Sequence, residues 1–183
     1  EVNICIASER KTLRDASKVV FPGQGSMRDC VERLNSLDIV DELRRCLVTK
    51  PFFGICLGKQ ILFEYSEEGG SRGLGFLPGK VKRFKTKNSV KIPHMGWNTV
   101  SIKRNHPVFS GILKNEREEA YFYFVHSFFS KPDDHRVVLG ETIHGEVFAS
   151  VISSENVFAT QFHPEKSSEN GIMLLKNFAG WNP

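Results

Sequence analysis

Apolar residues recur with two different periods along this chain, and the change between them divides it into two regions. Up to residue 65, short apolar runs alternate with segments whose apolar residues recur every three or four positions, a pattern typical of strands alternating with helices. From residue 69 to about 152, the pattern changes to short strand-like runs separated by turn residues, which is typical of hairpins. Together these regions predict an α/β fold with a mixed, mostly parallel central sheet flanked by helices, and with added β-hairpins.

The first region predicts strands at 2–7 and 19–21, followed by a helical segment at 26–47. Asn35 and Ser36 interrupt this segment, and Asp38 can cap its second part, so we expect two helices. The run 51–55 is short, apolar and bounded by a proline, which favours a strand buried on both faces. A helical pattern comes directly after it, formed by Leu57, Ile61, Leu62 and Tyr65.

The second region predicts short strands at 79–84, 90–92, 99–102, 121–126, 137–141 and 147–152. A last strand is predicted at 157–162. Ser167 and Ser168 are expected to cap a final helix. The apolar face of that helix would be formed by Ile172, Leu175 and either Phe178 or Ala179.

A cysteine stands between two glycines where the apolar run 51–55 gives way to the helical pattern. Gly54-Ile55-Cys56-Leu57-Gly58 has the layout of a nucleophile elbow, a tight strand-to-helix turn that exposes one side chain. The glycines leave room for the turn and for the packing beside it. A helix start favours thiolate over thiol. The next backbone amide, that of Leu57, points to where an oxyanion would form.

A second segment, Gln161-Phe162-His163-Pro164-Glu165, lies at the end of the run 157–162 and supplies the groups that a cysteine nucleophile needs. His163 can take the thiol proton, and Glu165 can orient its imidazole. A lone cysteine is more often a buried apolar residue, and a lone His-x-Glu is usually surface chemistry. Functional sites in α/β sheets lie at the carboxyl ends of strands. Both segments lie at such ends, so together they predict a Cys-His-Glu triad.

These segments carry a family resemblance. Pro22-Gly23-Gln24-Gly25, the Cys56 segment through Gln60 and the His163 segment through Ser167 resemble the three signatures of class I (triad) glutamine amidotransferases. Within that class, two further strings are similar to glutaminase subunits of imidazole glycerol phosphate synthases. These strings are Pro93-His94-Met95-Gly96-Trp97-Asn98 and Tyr121-Phe122-Tyr123-Phe124-Val125-His126-Ser127.

The resemblance implies hydrolysis of glutamine to glutamate and ammonia by Cys56, His163 and Glu165. It implies an oxyanion hole from the amides of Leu57 and of the loop at Gly23 and Gln24. The implied partner is a (β/α)₈ cyclase, forming a heterodimer that makes imidazole glycerol phosphate and AICAR in histidine biosynthesis. Glutamine would be bound by Gly25, Gln60, Ser127 and Phe128, and the cyclase would be contacted by Lys166, Trp97 and Tyr123.

Phe128 and Gln24 depart from the family pattern, which has an aromatic hydroxyl at the first position and an apolar residue at the second. The family also begins with a strand, a loop and a helix before the segment that starts at Glu1. The expected organisation is therefore a single amidotransferase domain over residues 1–183, lacking that first strand and helix.

The composition of the chain argues against several classes of function. The four cysteines, Cys5, Cys30, Cys46 and Cys56, show no metal-ligand spacing, so no metal and no cofactor are expected. Free thiols fit a reducing cytoplasm. No apolar run approaches the roughly 18 residues of a membrane span, and no signal peptide is visible. The net charge of +4 is scattered rather than gathered beside aromatic platforms, so neither nucleic acid nor membrane is an expected partner.

Three alternatives remain beside the leading interpretation. The chain could be the glutaminase of another class I enzyme, such as a pyridoxal phosphate synthase subunit or a free γ-glutamyl hydrolase. It could be a non-catalytic regulatory subunit with the same fold, which the intact triad disfavours. A cysteine peptidase is disfavoured because papain-like enzymes have their histidine about 130–150 residues after the cysteine, a wider separation than that of Cys56 and His163.

Overall fold

The computed structural model describes residues 2–85, 90–112 and 119–183. The strands are β1 (Val19–Phe21), β2 (Phe52–Ile55), β3 (Phe63–Ser66), β4 (Ser71–Arg72), β5 (Leu77–Arg83), β6 (His94–Ile102), β7 (Glu119–His126), β8 (Phe128–Pro132), β9 (Val138–His144), β10 (Glu146–Ser154) and β11 (Val157–Thr160). The helices are α1 (Arg10–Asp15), α2 (Met27–Ser36), α3 (Val40–Thr49), α4 (Leu57–Gln60) and α5 (Ser168–Gly180). Single 3₁₀ turns lie at Pro107–Phe109, His135–Val137 and Pro164–Lys166.

In the described part of the chain, seven strands form one mixed sheet in the order β1-β2-β11-β10-β9-β6-β7, and β4-β3-β5-β8 form a second sheet. Strands β1, β2 and β11 pair in parallel. The remaining neighbours in the large sheet are antiparallel. The α/β fold class is confirmed, but the parallel share is smaller than predicted, because the hairpin strands β6, β7, β9 and β10 extend the same sheet instead of lying outside it.

The large sheet is buried on both faces where the predicted elbow strand lies. Phe52 and Phe53 are neighbours in β2 and are both fully buried. Successive side chains of a strand point to opposite faces, and the two rings join separate apolar clusters. Phe52 packs with residues of α1 to α3, whereas Phe53 lies 5.1 Å, centroid to centroid, from Phe178 of α5. The prediction of a strand covered on both faces is confirmed.

Two predicted strands are wrong. Residues 2–7 are extended but unpaired, and Val2, Ile4 and Ile6 are exposed. Apolar alternation does not make a strand unless a neighbouring backbone accepts its hydrogen bonds, and among the described residues 2–7 have no such neighbour. Residues 90–92 form no strand either, and the proline that comes after them has no N–H for a ladder.

The predictions for three helical segments need correction. The helix after the elbow ends at Gln60 rather than near Tyr65, because the carbonyl of Leu62 accepts bonds from the amides of Phe76 and Leu77 and β3 begins at Phe63. The prediction of two helices within 26–47 is confirmed as α2 and α3, but Asp38 does not cap α3. Asp38 has φ 55° and lies one residue before the N-cap position.

The final helix, α5, begins at Ser168 as predicted, but neither serine caps it through its side chain. The Ser167 hydroxyl instead donates to the His163 carbonyl. Leu174 and Phe178 face the core, whereas Ile172 is 55% exposed, so the buried face is rotated from the predicted one.

Candidate active site

Cys56 occupies a strained turn between β2 and α4, as the sequence predicts for an elbow. Its φ of 53° and ψ of −103° lie in a region that costs a non-glycine residue about 1–3 kcal/mol. Its amide donates to the Thr160 carbonyl at 2.8 Å. A Cβ at Gly54 would come within 2.4 Å of the Gly58 carbonyl, and one at Gly58 within 1.8 Å of the Phe21 carbonyl. Both glycines are therefore required for the chain to close around the cysteine.

His163 is held from both sides of its backbone, just beyond β11. Its amide donates to the Tyr123 carbonyl at 2.9 Å, and its carbonyl accepts from the Ser167 hydroxyl at 2.6 Å. The same hydroxyl accepts from the Tyr123 amide at 2.9 Å. Ser167 thus ties the histidine to β7, which explains why its side chain is not used to cap α5.

Glu165 determines which nitrogen of the His163 ring is available for chemistry. Glu165 Oε1 lies 2.6 Å from His163 Nδ1. A carboxylate can only accept, so Nδ1 carries a proton and Nε2 is the basic nitrogen. Nε2 is buried and has no hydrogen-bond partner among the described residues. This is the arrangement that a general base needs before substrate arrives.

The electrostatics of the pair favour a charged imidazole. Burial by itself lowers the pKa of His163, but interactions with Cys56 and Glu165 outweigh burial and raise that pKa to about 9. Burial likewise raises the pKa of Glu165, yet its hydrogen bond to His163 gives a net lowering. The thiol of Cys56 is a neighbour of the imidazole rather than a formed hydrogen-bond partner of Nε2 in this conformation.

A cavity of about 280 Å³ opens beside the cysteine. It is near the lower end of ligand-pocket sizes, about 300 Å³, and so suits a molecule the size of one amino acid. Its lining residues are Gln24, Gly25, Cys56, Leu57, Gln60, Glu68, Val125, His126, Ser127 and Phe128. The four predicted glutamine-binding residues are all among them. Gly23 lies behind this lining, where an added Cβ would meet the Leu57 side chain at 3.2 Å.

The sequence matches the glutamine amidotransferase class-I family over residues 3–180. The chain belongs to the class-I glutamine amidotransferases. Among its relatives are proteins named imidazole glycerol phosphate synthase subunit HisH. Those of Neisseria meningitidis serogroup A and Chromobacterium violaceum are each 45% identical over 98% of this chain, which spans 86% and 85% of their lengths. The HisH of Nitrosococcus oceani is also 45% identical, over the whole chain and 86% of the relative.

Solved structures agree on the fold. A crystal structure described as glutamine amidotransferase superposes with a TM-score of 0.68 at 18% identity, covering 94% of this chain and 85% of the other. The structure of PurLQS from Thermotoga maritima gives a TM-score of 0.66 at 20% identity, covering 91% of this chain and 80% of the other. At such low sequence identities, the structural similarity supports the amidotransferase fold alone.

Three polar residues at the candidate site were not among the predicted site residues. Gln161 is fully buried and its Nε2 lies 3.7 Å from Cys56 Sγ, whereas its Oε1 has no partner among the described residues. Glu68 and His126 line the cavity. Gln161 stands within the histidine segment, and His126 directly precedes Ser127, so their positions were visible in the sequence. Nothing in the sequence around Glu68 indicated that this residue lies at the site.

The residues predicted to contact a partner lie outside the cavity lining. Trp97 is 54% exposed and is therefore not a core residue. Its ring centroid is 6.2 Å from that of Tyr123 in an edge-on arrangement between β6 and β7. Lys166 is exposed in the 3₁₀ turn Pro164–Lys166. The structure therefore places all three at the surface.

Over residues 2–85, 90–112 and 119–183, no three histidine, cysteine or acidic side chains come together as a metal site would require. Within the same ranges, no helix has the length and apolar character needed to span a bilayer.

Proposed function

We propose that this amidotransferase hydrolyses glutamine through Cys56, His163 and Glu165 and delivers the ammonia to the cyclase subunit of an imidazole glycerol phosphate synthase. The observation that carries the proposal is the strained Cys56 turn, which opens onto an amino-acid-sized cavity. Cys56 also neighbours His163, whose basic nitrogen is unpartnered among the described residues. The class-I family match supports the chemistry, and the HisH relatives support the pathway.

In this mechanism, the thiol proton of Cys56 passes to His163 Nε2, and the resulting thiolate then attacks the side-chain carbonyl carbon of glutamine. The imidazolium then gives this proton to the leaving nitrogen, the C–N bond breaks, and ammonia and a γ-glutamyl thioester remain. A water next loses a proton to Nε2 and attacks the thioester, which releases glutamate and restores the thiol. Glu165 keeps Nδ1 protonated and stabilises the imidazolium through both steps.

The oxyanion formed in each step needs two donors. The amide of Leu57, at the start of α4, is one of them. The second is an amide of the loop at Gly23 and Gln24. Gln24 lines the cavity, and Gly25 has φ +100°, which lets the adjoining peptide turn at little steric cost.

The cavity offers separate groups to the two ends of a glutamine molecule. Glu68 is the acidic residue of the lining and would pair with the α-ammonium group. Gly25, Ser127 and Phe128 would act through their backbones. The amide of Gln60 is fixed by its bond to the Phe128 carbonyl at 2.9 Å, which prepares that wall before substrate binds.

The partner would be a (β/α)₈ cyclase that takes ammonia before it escapes into water, in a cytoplasmic heterodimer. Trp97, Tyr123 and Lys166 would contribute to that contact, because exposed aromatic residues are enriched at protein interfaces. We also propose that residues 1–183 act as a single amidotransferase domain.

Ammonia release from glutamine, measured with and without the cyclase and its nucleotide substrate, tests the proposal. The wild type should release ammonia in the complex, and Cys56→Ala should release none while remaining folded. Cys5→Ala, which removes an exposed thiol, serves as the matched control and should behave as the wild type. Ammonia release by Cys56→Ala at the wild-type rate would overturn the proposed chemistry, and release independent of the cyclase would favour a free hydrolase.

A further inference from the structure

A row of hydrogen-bonded polar side chains leads from β6 to the wall of the glutamine cavity. Asn98 Nδ2 lies 3.1 Å from His94 Nε2, and His94 Nδ1 lies 3.0 Å from His126 Nε2. His126 Nδ1 lies 2.8 Å from the Phe128 carbonyl oxygen. His94 and His126 face each other across the β6–β7 pairing, and both are buried.

The direction of every hydrogen bond in this row is set from its cavity end. A carbonyl oxygen only accepts, so His126 Nδ1 must carry a proton. If His126 is neutral, its Nε2 is an acceptor, and His94 Nδ1 must donate to it. Neutral His94 then has an acceptor at Nε2, which is satisfied by the Asn98 amide. Both imidazoles are therefore assigned to the Nδ1-protonated tautomer.

The orientation of Asn98 gives the same answer from the other end. Its Oδ1 accepts from the Thr99 amide at 2.8 Å, and its Nδ2 also donates to the Ile143 carbonyl at 2.9 Å. A flipped amide would place oxygen against the Ile143 carbonyl and nitrogen against an N–H. The amide nitrogen is thus fixed towards His94, and the two ends of the row require the same proton positions.

The surroundings keep both rings neutral. Burial is the main cause that lowers the pKa of His94 to about 4 and moves the pKa of His126 well below its usual value of 6.5. The pair is enclosed by aromatic rings: Phe84 lies 5.4 Å from His126, Phe124 lies 4.7 Å from His94, and His144 stacks on His94 at 4.1 Å. An added proton would set two N–H groups against each other somewhere in the row.

At its cavity end, the row acts on the one carbonyl that also holds Gln60. The Phe128 oxygen accepts from both His126 Nδ1 and Gln60 Nε2, so both of its acceptor positions are used. Phe128, Gln60 and His126 all line the cavity. Moving the His126 ring would therefore shift the carbonyl, and with it the amide of Gln60.

We propose that His94 and Asn98 are positioning residues of the glutamine site, acting through His126 to hold the Phe128 carbonyl and Gln60 where substrate binds. The inference rests on the proposed function, because it concerns the affinity for glutamine. Aromatic packing alone does not require two imidazoles here, since phenylalanine would fill the same aromatic cluster without polar atoms to satisfy. Unlike phenylalanine rings, the two imidazoles carry polar atoms, and their hydrogen bonds form a continuous row that ends at the cavity wall.

Steady-state glutaminase kinetics in the cyclase complex test this with a pair of variants at one position. His94→Phe keeps an aromatic ring but removes the donor to His126, whereas His94→Asn keeps an N–H near the place of Nδ1. We expect His94→Phe to raise KM for glutamine roughly five- to tenfold, as for one lost hydrogen bond in a positioning row, with kcat within about twofold. His94→Asn should recover most of the loss.

His106→Phe is the matched control, because His106 is another histidine with a pKa lowered to about 4 by burial, but it stacks on Phe158 and Trp181 and is not part of the cavity lining. It should leave KM unchanged. Equal effects of His94→Phe and His106→Phe on KM, or an equal loss in His94→Asn, would contradict the proposal.

A spectroscopic measurement on the wild type keeps the inference testable if His94→Phe does not fold. Nitrogen chemical shifts of histidine-labelled protein should show a protonated Nδ1 and an unprotonated Nε2 for both His94 and His126 at neutral pH. A protonated Nε2 on either ring would contradict the hydrogen-bond directions assigned to this row. The wild-type complex could hydrolyse no glutamine even though both tautomers are as assigned. The proposed function would then be wrong, and the hydrogen-bonded row would have a structural role only.

Discussion

At the scale of single residues, the proposed triad would work by fixing the position of one proton. The Glu165 carboxylate, 2.6 Å from Nδ1, leaves Nε2 of His163 to exchange protons with thiol, amine and water. Burial lowers the pKa of His163, but Cys56 and this carboxylate together raise it to about 9. The imidazolium needed to protonate the leaving nitrogen therefore stays populated across neutral pH.

Replacing Glu165 by glutamine tests this electrostatic role. Glu165→Gln removes an anionic acceptor that raises the pKa of His163, so that pKa falls and the imidazolium is lost at lower pH. We expect kcat to fall by roughly 10²-fold or more and the alkaline limb of the rate profile to move below the wild-type position near pH 9. Ammonia release by the complex between pH 6 and 10 measures both.

Glu169→Gln is the control for this prediction, because Glu169 is an exposed acid in the first turn of α5. It should leave the profile unchanged. An alkaline limb that stays in place in Glu165→Gln would show that the carboxylate does not tune the histidine.

At the scale of elements, the sequence predicted what depends on burial and missed what depends on pairing. β2 was predicted correctly because a continuous apolar run is typical of a strand covered on both faces. The segment 2–7 has an equally good pattern, yet it has no neighbouring strand among the described residues. The helix after Cys56 was predicted too long because Leu62 and Phe63 pair with the chain near β5, a contact that helical spacing cannot reveal.

For the candidate site too, the sequence predicted local motifs better than contacts between distant segments. Cys56, His163 and Glu165 could be found because their motifs lie at the ends of predicted strands, which meet at one edge of a sheet. The contact of Gln161 with Sγ and the place of Glu68 in the cavity depend on distant segments meeting in one register. The sequence therefore identified the reacting groups more completely than the groups around them.

The short helix α4 also carries a fully buried lysine behind the nucleophile. Lys59 Nζ donates to the Ser130 hydroxyl and, at 2.7 Å, to the Ala149 carbonyl. Burial lowers the pKa of Lys59 from 10.5 to about 7, against an opposing effect of Cys56. Because the folded pKa lies below the unfolded one, this group destabilises the fold. The cost is complete below about pH 7 and disappears as the pH rises to 10.5.

We expect Lys59→Met to change stability more favourably at pH 7 than at pH 9.5. The substitution removes the cost of burying a charged amine, which is larger at the lower pH, and it leaves two oxygens without a donor at a cost of about 1–3 kcal/mol each. Urea unfolding of variant and wild type at both pH values measures the difference. Lys80→Met, at an exposed position of β5, should change little. A Lys59→Met variant less stable at pH 7 than at pH 9.5, relative to wild type, would contradict this.

At the scale of the whole molecule, the large sheet carries both the cavity and an exposed apolar surface. The cavity opens where β2 ends, whereas the β6–β7 pair presents Met95, Trp97 and Tyr121 to solvent. Three exposed large side chains on neighbouring strands form the kind of apolar patch that marks a protein interface. Val125 and His126 of β7 line the cavity, so the strand pair that carries this patch also contributes to the cavity wall.

Binding to the cyclase tests that surface directly. Trp97→Ala should weaken the complex roughly tenfold or more, since exposed tryptophans are frequent interface hot spots, without a change in folding stability beyond about 0.5 kcal/mol. Tyr65→Ala, a comparably exposed aromatic in the second sheet, is the control and should leave the affinity unchanged. Equal affinities of Trp97→Ala and wild type would place the cyclase contact elsewhere.

The proposed chemistry requires the Cys56 sulfur to attack the side-chain amide of glutamine. Acid quenching of the working complex, followed by mass spectrometry of its peptides, measures this step. A glutamyl adduct is expected on the peptide that contains Cys56, formed with glutamine and absent from Cys56→Ala. Rapid ammonia release without any adduct on Cys56, or an adduct on another cysteine, would contradict it.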